Sequence, residues 1–151
     1  ALAGPSVTLL GRQDAAVVNG LLERCRAYVF AGLEDFGIAP VEAMAAGAPV
    51  IGFGGGGLLD TVRCLSQDLA QPTGLLFPQQ GAASLVAALE HFHQGQLWRQ
   101  LPPERQRAWA ERFSGALFRQ RFAAVLDRAW HGHRLGRAQR SQALAWDGAP
   151  G

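Results

Sequence analysis

The stretch AYVFAGLEDFGIAPVEAMAAGAPVIGFGGGG, residues 27–57, decides the fold. Two short runs rich in β-branched and aromatic residues, AYVF (27–30) and PVIGF (49–53), bracket a small-residue segment, PVEAMAAG, that reads as a helix closed by Gly47 with Pro49 just beyond. Strand, helix and strand in that order form a βαβ unit, which joins parallel strands. Working outward, VTLLG (7–11) and GLLF (74–77) read as two more strands. DAAVVNGLLERC, opening on Asp14 as N-cap, LLDTVRCL, AASLVAALEHF and GALFRQRFAAVLDRAW read as helices. The last of these sets Phe118, Phe122, Val125, Leu126 and Ala129 on one stripe, a pattern expected to pack against something. The expected class is α/β, a Rossmann-like parallel sheet with flanking helices.

At 151 residues the chain can bury one core. A single domain over residues 1–130, incomplete at its N-terminus, is therefore expected, followed by a basic, disordered tail over 131–151 where the helical pattern dissolves. With 48% hydrophobic and 17% charged residues, the composition is neither that of a disordered chain nor that of a membrane protein. The longest apolar run, Phe36 to Leu59, is broken by Pro40, Glu42, Pro49 and a block of glycines, so it cannot cross a bilayer as a helix. Cys25 and Cys64 make neither a disulfide framework nor a metal spacing; buried thiols in a reducing, cytoplasmic compartment are expected.

All fourteen basic residues are Arg, and they are unevenly spread. Residues 1–97 hold four Arg against eight acids, whereas residues 98–140 hold ten Arg against three. A solvated helix face accounts for that basic third, and peripheral contact with the inner face of a membrane is compatible with it. No specific nucleic-acid partner is expected.

In a parallel α/β sheet, ligands sit at the carboxyl ends of the strands. Two loops lie there: AGLEDFG after AYVF, and GGGG after PVIGF, in which Gly55 and Gly56 are candidate ligand contacts. Pro40 is tolerated only in the first helical turn, so the intervening helix starts near residues 37–40. The candidate caps are then Gly37, Ile38 and Ala39, none with a side chain that can satisfy the free amides. Uncapped amides at a strand end, beside a glycine that allows close approach, make an anion site. Carboxylates cannot face that same anion, so Glu34 and Glu42 are assigned to neutral hydroxyls, which they accept in charge-assisted pairs. A sugar nucleotide supplies sugar, phosphate and sugar in that order. Spacing alone leaves a plainer alternative open, with Glu42 complementing the helix dipole and Glu34 and Asp35 in a solvated loop.

YVFAGLEDFGIAPVEAMAAGAPVIGFGGGGLLDTV (28–62), followed by TGLLF (73–77), resembles the C-terminal, donor-binding domain of the retaining glycosyltransferases of family 4, which have the GT-B fold. The family's two glutamates separated by seven residues fall on Glu34 and Glu42; its usual Pro and Glu are replaced by Ala31 and Asp60. The resemblance implies that Glu42 holds the nucleotide ribose and Glu34 touches the transferred sugar. Backbone amides around Gly37, Ile38 and Ala39 would meet the diphosphate or the sugar. It further implies a UDP- or GDP-sugar as donor, transfer of a hexose to a hydroxyl acceptor with retention, and no metal cofactor. The family also uses an Arg and a Lys upstream of this segment and an N-terminal acceptor-binding domain; this sequence contains no Lys, so a missing domain or a partner chain is expected. The alternative is a non-catalytic sugar-nucleotide-binding module or one subunit of a split enzyme.

Two other signals point elsewhere and fail on context. Gly52, Gly54 and Gly57 satisfy a dinucleotide-binding glycine spacing, but no second strand ending in an acid follows at the required distance. The pairs His91 with His93 and His131 with His133 lie two apart, which on a helix turns the rings different ways.

Overall fold

The computed structural model describes residues 4–68 and 70–146. They fall into two compact units, Ala1–Arg112 and Phe113–Gly151. The first unit is the expected α/β layer: three parallel strands, β1 (Tyr28–Phe30), β2 (Val50–Phe53) and β3 (Gly74–Phe77), in the spatial order β1-β2-β3. Tyr28 pairs with Val50, and Val50 with Gly74. Five helices accompany them, α1 (Ala15–Arg24), α2 (Ile38–Ala46), α3 (Leu58–Thr61), α4 (Ala82–Gln94) and α5 (Pro103–Ala110). The second unit holds one helix, α6 (Gly115–Trp146).

Side chains alternate across each strand, and both faces of this sheet are covered. Ile51, Leu75 and Phe77 face Ala88 and Phe92 of α4, with Leu97 and Leu101 from the turn beyond it. Val50 faces the opposite way with Tyr28, Phe30 and Leu76, against Met44 of α2, Leu58 of α3 and Ala110 of α5. The end of α2 is fastened in two ways. Gly47, at φ +106°, lets its own N–H reach the Met44 carbonyl and that of Ala48 reach the Ala43 carbonyl, the pair of bonds that closes a helix in a left-handed turn. From α5, the Arg107 guanidinium donates to the Ala46 carbonyl at 2.9 Å.

Three expectations change. VTLLG does not form a strand: Val7, Leu9 and Leu10 are exposed, and no neighbouring strand among the described residues offers them a ladder. The helix expected to dissolve after Trp130 continues through Trp146, because apolar periodicity reports burial and not helicity; the Arg, Leu, Ala and Gln that follow are good helix formers. Residues 147–151 of the expected tail lie outside the described residues. Finally, α5 was not expected, since PERQRAWA buries only Gln106 and Ala110 and so shows almost no apolar pattern. Of the cysteines, Cys64 is buried and Cys25 half-buried, both as free thiols.

Gln106 is fully buried between α5 and the core, and neither its amide nitrogen nor its oxygen has a hydrogen-bond partner among the described residues. An unmatched amide costs about 1–3 kcal/mol. Gln106→Met, similar in shape and without polar hydrogens, is expected to raise the urea midpoint, by about 1 kcal/mol in stability. A loss of stability would show that the amide is satisfied in solution.

Candidate functional site

The three strands end at one edge of the sheet, and the loops that leave them are tied together there. The Gly57 N–H donates to the Glu34 carbonyl at 2.8 Å, joining the loop after β1 to the loop after β2. Gly54 N–H donates to the Phe77 carbonyl at 2.9 Å, and the Gln80 side-chain amide donates to the Ala31 carbonyl at 2.9 Å, so the loop after β3 closes onto the other two. Gly56 and Gly57 have no tolerance for a side chain. A Cβ on Gly56 would strike the Glu34 carbonyl, and one on Gly57 would strike the Asp35 carbonyl and the Phe36 Cα. The glycine run is therefore a close backbone-to-backbone seam. Gly55 lies beside the Phe53 ring and Leu33.

This seam sets the start of α2. Gly37 is its N-cap at φ +82°, a left-handed conformation that other residues adopt at a cost, and among the described residues no side chain caps the helix. A Cβ there would also sit 3.0 Å from Leu58 Cδ1. Gly37, alone of the three candidate caps, occupies the cap position; Ile38 and Ala39 form the first turn and Pro40 follows, buried. The helix thus presents the amides of Ile38 and Ala39 at the edge where the loops meet, with the positive end of its dipole behind them. Ile38, Leu33 and Phe36 are exposed around them.

Glu34 and Glu42 are both exposed, and neither carboxylate makes a hydrogen bond or ion pair to a described residue. Tyr28 on β1 senses both. Burial pushes its hydroxyl above the ordinary 10.0, and the negative charges of Glu34 and then Glu42 push it further. The two glutamates, eight positions apart in sequence, therefore belong to one electrostatic neighbourhood next to the helix start. Glu42 also lines a groove of about 670 Å³ between α1 and α2, whose polar wall is Gln13, Asn19, Glu23 and Glu42. Acceptor-only carboxylates without cationic partners are suited to hydroxyl donors from a ligand.

Sequence reasoning picked out Gly37, Ile38, Ala39, Glu34 and Glu42, and these lie at the same end of the sheet. Gly55 and Gly56 are in the second loop at that edge, with Gly56 occupied in supporting Glu34. Tyr28, Asn19 and Glu23 were missed. Asn19 and Glu23 are four apart on α1, which is the one signal that they share a face. Among the described residues no group of three or more His, Cys, Asp or Glu could hold a metal ion.

A second notch, of about 390 Å³, opens beside Arg63, Arg105, Trp109 and Arg112. It belongs to the other end of the sheet: Arg63 exchanges hydrogen bonds with Thr73, just before β3 begins. Arg63 pairs with Asp68 and, like Arg112, stacks on the Trp109 indole, which itself donates to the Thr61 carbonyl. Arg63 and Arg112 thus fasten a tryptophan, and Arg105 donates to the Gln100 carbonyl at 2.7 Å.

A family model described as Glycosyl transferases group 1 matches residues 1–112. Among solved structures, the chain is similar to sucrose-phosphate synthase from Thermosynechococcus elongatus, a GT-B protein, at 31% identity and a TM-score of 0.56. That similarity covers 78% of this chain and 30% of that one. No curated protein gives a significant match.

The chain has a single Tyr, so a spectrophotometric titration of tyrosinate reads Tyr28 alone. Removing a nearby negative charge makes the tyrosinate easier to form. Glu34→Gln and Glu42→Gln are each expected to lower the midpoint toward the ordinary value, and an unchanged midpoint in both would separate the carboxylates from Tyr28. Because the folded-state pKa is raised, the stability this group contributes is present below pH 10.0 and is lost as pH rises above it.

Proposed function

The chain belongs to the group 1 glycosyl transferases, and from that premise we propose that it is the donor-binding portion of a retaining hexosyltransferase of family 4, using a UDP- or GDP-sugar. Membership implies a nucleotide-sugar donor and an acceptor. The observation that carries the finer reading is the pairing of a helix start without a side-chain cap with two carboxylates that, among the described residues, have no cationic partner. In this reading, the amides of Ile38 and Ala39 meet the diphosphate. Glu42 accepts the ribose hydroxyls and Glu34 those of the transferred sugar, with Gly55 at the rim of the sugar pocket.

Catalysis then rests on position and on stabilising the departing diphosphate as its negative charge develops, through fixed amides and the helix dipole. We assign the diphosphate's charge to these groups and propose that no metal cofactor takes part. None of the residues at this edge is assigned as a nucleophile. The chain spans 30% of the length of the sucrose-phosphate synthase it matches. The acceptor site is accordingly assigned to an N-terminal domain or a partner chain, and closure of the two around the donor would exclude water. The proposed location is cytoplasmic, with peripheral contact at the inner face of the membrane. Among the described residues no helix is long and apolar enough to cross a bilayer.

Calorimetric titration with UDP, GDP and their sugar conjugates tests this reading. Glu42→Gln is expected to weaken binding of every such ligand by roughly 1.5–3 kcal/mol, the range for hydrogen bonds to charged groups. Glu34→Gln is expected to weaken the sugar conjugate and leave the bare nucleoside diphosphate unchanged. If Glu42 only complements the helix dipole, its replacement will cost about 0.3–1 kcal/mol of stability and leave all affinities alone, which would refute the assignment.

A further inference from the structure

The notch at the other end of the sheet plays no part in donor binding, and both of its walls are built. One wall is a single stripe of α5 and the turn after it: Arg105, Ala108, Trp109 and Arg112 stand at i, i+3, i+4 and i+7, while Glu104 and Glu111 turn to the side. The other wall is the loop that leads from Arg63 to Thr73. Asp68 shapes it: its carboxylate accepts the N–H groups of Ala70 and Gln71 at 3.1 and 3.0 Å and pairs with Arg63, which also donates to the Gln71 side chain at 3.1 Å. Ala70 on this wall and Ala108 on the other leave the space of about 390 Å³ between them open.

Three guanidinium groups border that space, and the one carboxylate beside them, that of Asp68, is already paired with Arg63. The Arg105 guanidinium is drawn back to the Gln100 carbonyl, which takes one of its five N–H donors, whereas that of Arg112 lies on the Trp109 ring. Their charges are thus held at separate places along the notch. Seven residues of helix rise about 10.5 Å. A single phosphate needs its donors gathered at one point and, when doubly charged, meets Asp68 with twice the repulsion that a carboxylate does. Single charges set apart on one extended chain fit better, because side chains two or three residues apart there stand about 7–10 Å from each other.

We propose that this notch docks an extended acidic segment of a partner protein, two of whose carboxylates pair with Arg105 and Arg112 while its backbone crosses Ala108 and the Trp109 indole. Arg63 and Asp68 hold the far wall in place for it. Because the notch and the strand-end loops lie at opposite ends of the sheet, the partner and the sugar-nucleotide donor bind without obstructing each other.

The test is the fluorescence anisotropy of a labelled serine peptide with glutamate at every third position, titrated with the full chain, and of its glutamine counterpart. The glutamate peptide is expected to bind, the glutamine peptide to stay free, and added salt to weaken the complex. Ala108→Glu, at an exposed position of α5, sets a carboxylate in the notch and is expected to reduce affinity at least roughly tenfold with the circular dichroism unchanged. Arg105→Gln with Arg112→Gln is expected to reduce it roughly threefold to fivefold for each arginine. Arg128→Gln with Arg134→Gln, on α6, and a saturating nucleoside diphosphate are each expected to leave it unchanged. Absence of binding, binding that survives both notch variants, loss of binding with the α6 pair instead, or displacement of the peptide by an equal concentration of inorganic pyrophosphate would each overturn the proposal. Titration with a nucleoside diphosphate in the absence of peptide reports on donor binding independently, so failure of one reading is distinguishable from failure of the other.

Discussion

One close approach organises the functional end of this molecule: the backbone of Gly56 and Gly57 against the backbone of Glu34, Asp35 and Phe36, with the Gly57 N–H bonded to the Glu34 carbonyl. Two loops from neighbouring parallel strands come this near because the second loop presents glycines, without a Cβ, to the backbone of the first. The contact fixes where Glu34 leaves the main chain. It also fixes how the chain enters Gly37 and hence where the first amides of α2 point. The sheet supplies the strand ends, and the seam turns them into a defined edge.

The remainder of the first unit can be understood as support for that edge. At its far end α2 is closed by the Gly47 turn and by Arg107 reaching across from α5, so the helix is held at both termini and cannot slide along the sheet. Leu58, the first residue of α3, packs under Gly37 and into the core with Met44 and Val50, which couples the second loop to the helix start a second time. Tyr28 carries the sheet's contribution, since its hydroxyl lies where the fields of Glu34 and Glu42 overlap. A site built this way needs little rearrangement to meet a ligand, because its amides and carboxylates are positioned before binding.

Much of this was legible in the sequence for physical reasons. Pro40 could stand only in the first turn of a helix, and Gly47 followed by Pro49 could only end one, so α2 was bounded from composition alone. The three strands were marked by apolar runs ended by glycine or proline. What escaped was whatever depends on a neighbour. VTLLG has the residues of a strand but no adjacent ladder among the described residues. The PERQRAWA segment forms a helix against the core although half its residues are polar or charged, with Gln106 and Ala110 buried and Trp109 packed beside them. Tyr28 read as an ordinary strand aromatic, since its nearness to Glu34 and Glu42 is a property of the fold. The length of α6 escaped because helix propensity runs on past the end of its apolar stripe.

The central claim is that the uncapped start of α2 is where the donor's diphosphate binds. Backbone amide shifts of the isotope-labelled chain, followed by NMR during titration with a nucleoside diphosphate, test it most directly. The account predicts that the largest changes fall on Ile38 and Ala39, with smaller ones at Gly37 and Gly55, and that the amides of Arg63, Arg105 and Arg112 stay where they are. Changes concentrated at those three arginines, with Ile38 and Ala39 unmoved, would contradict it.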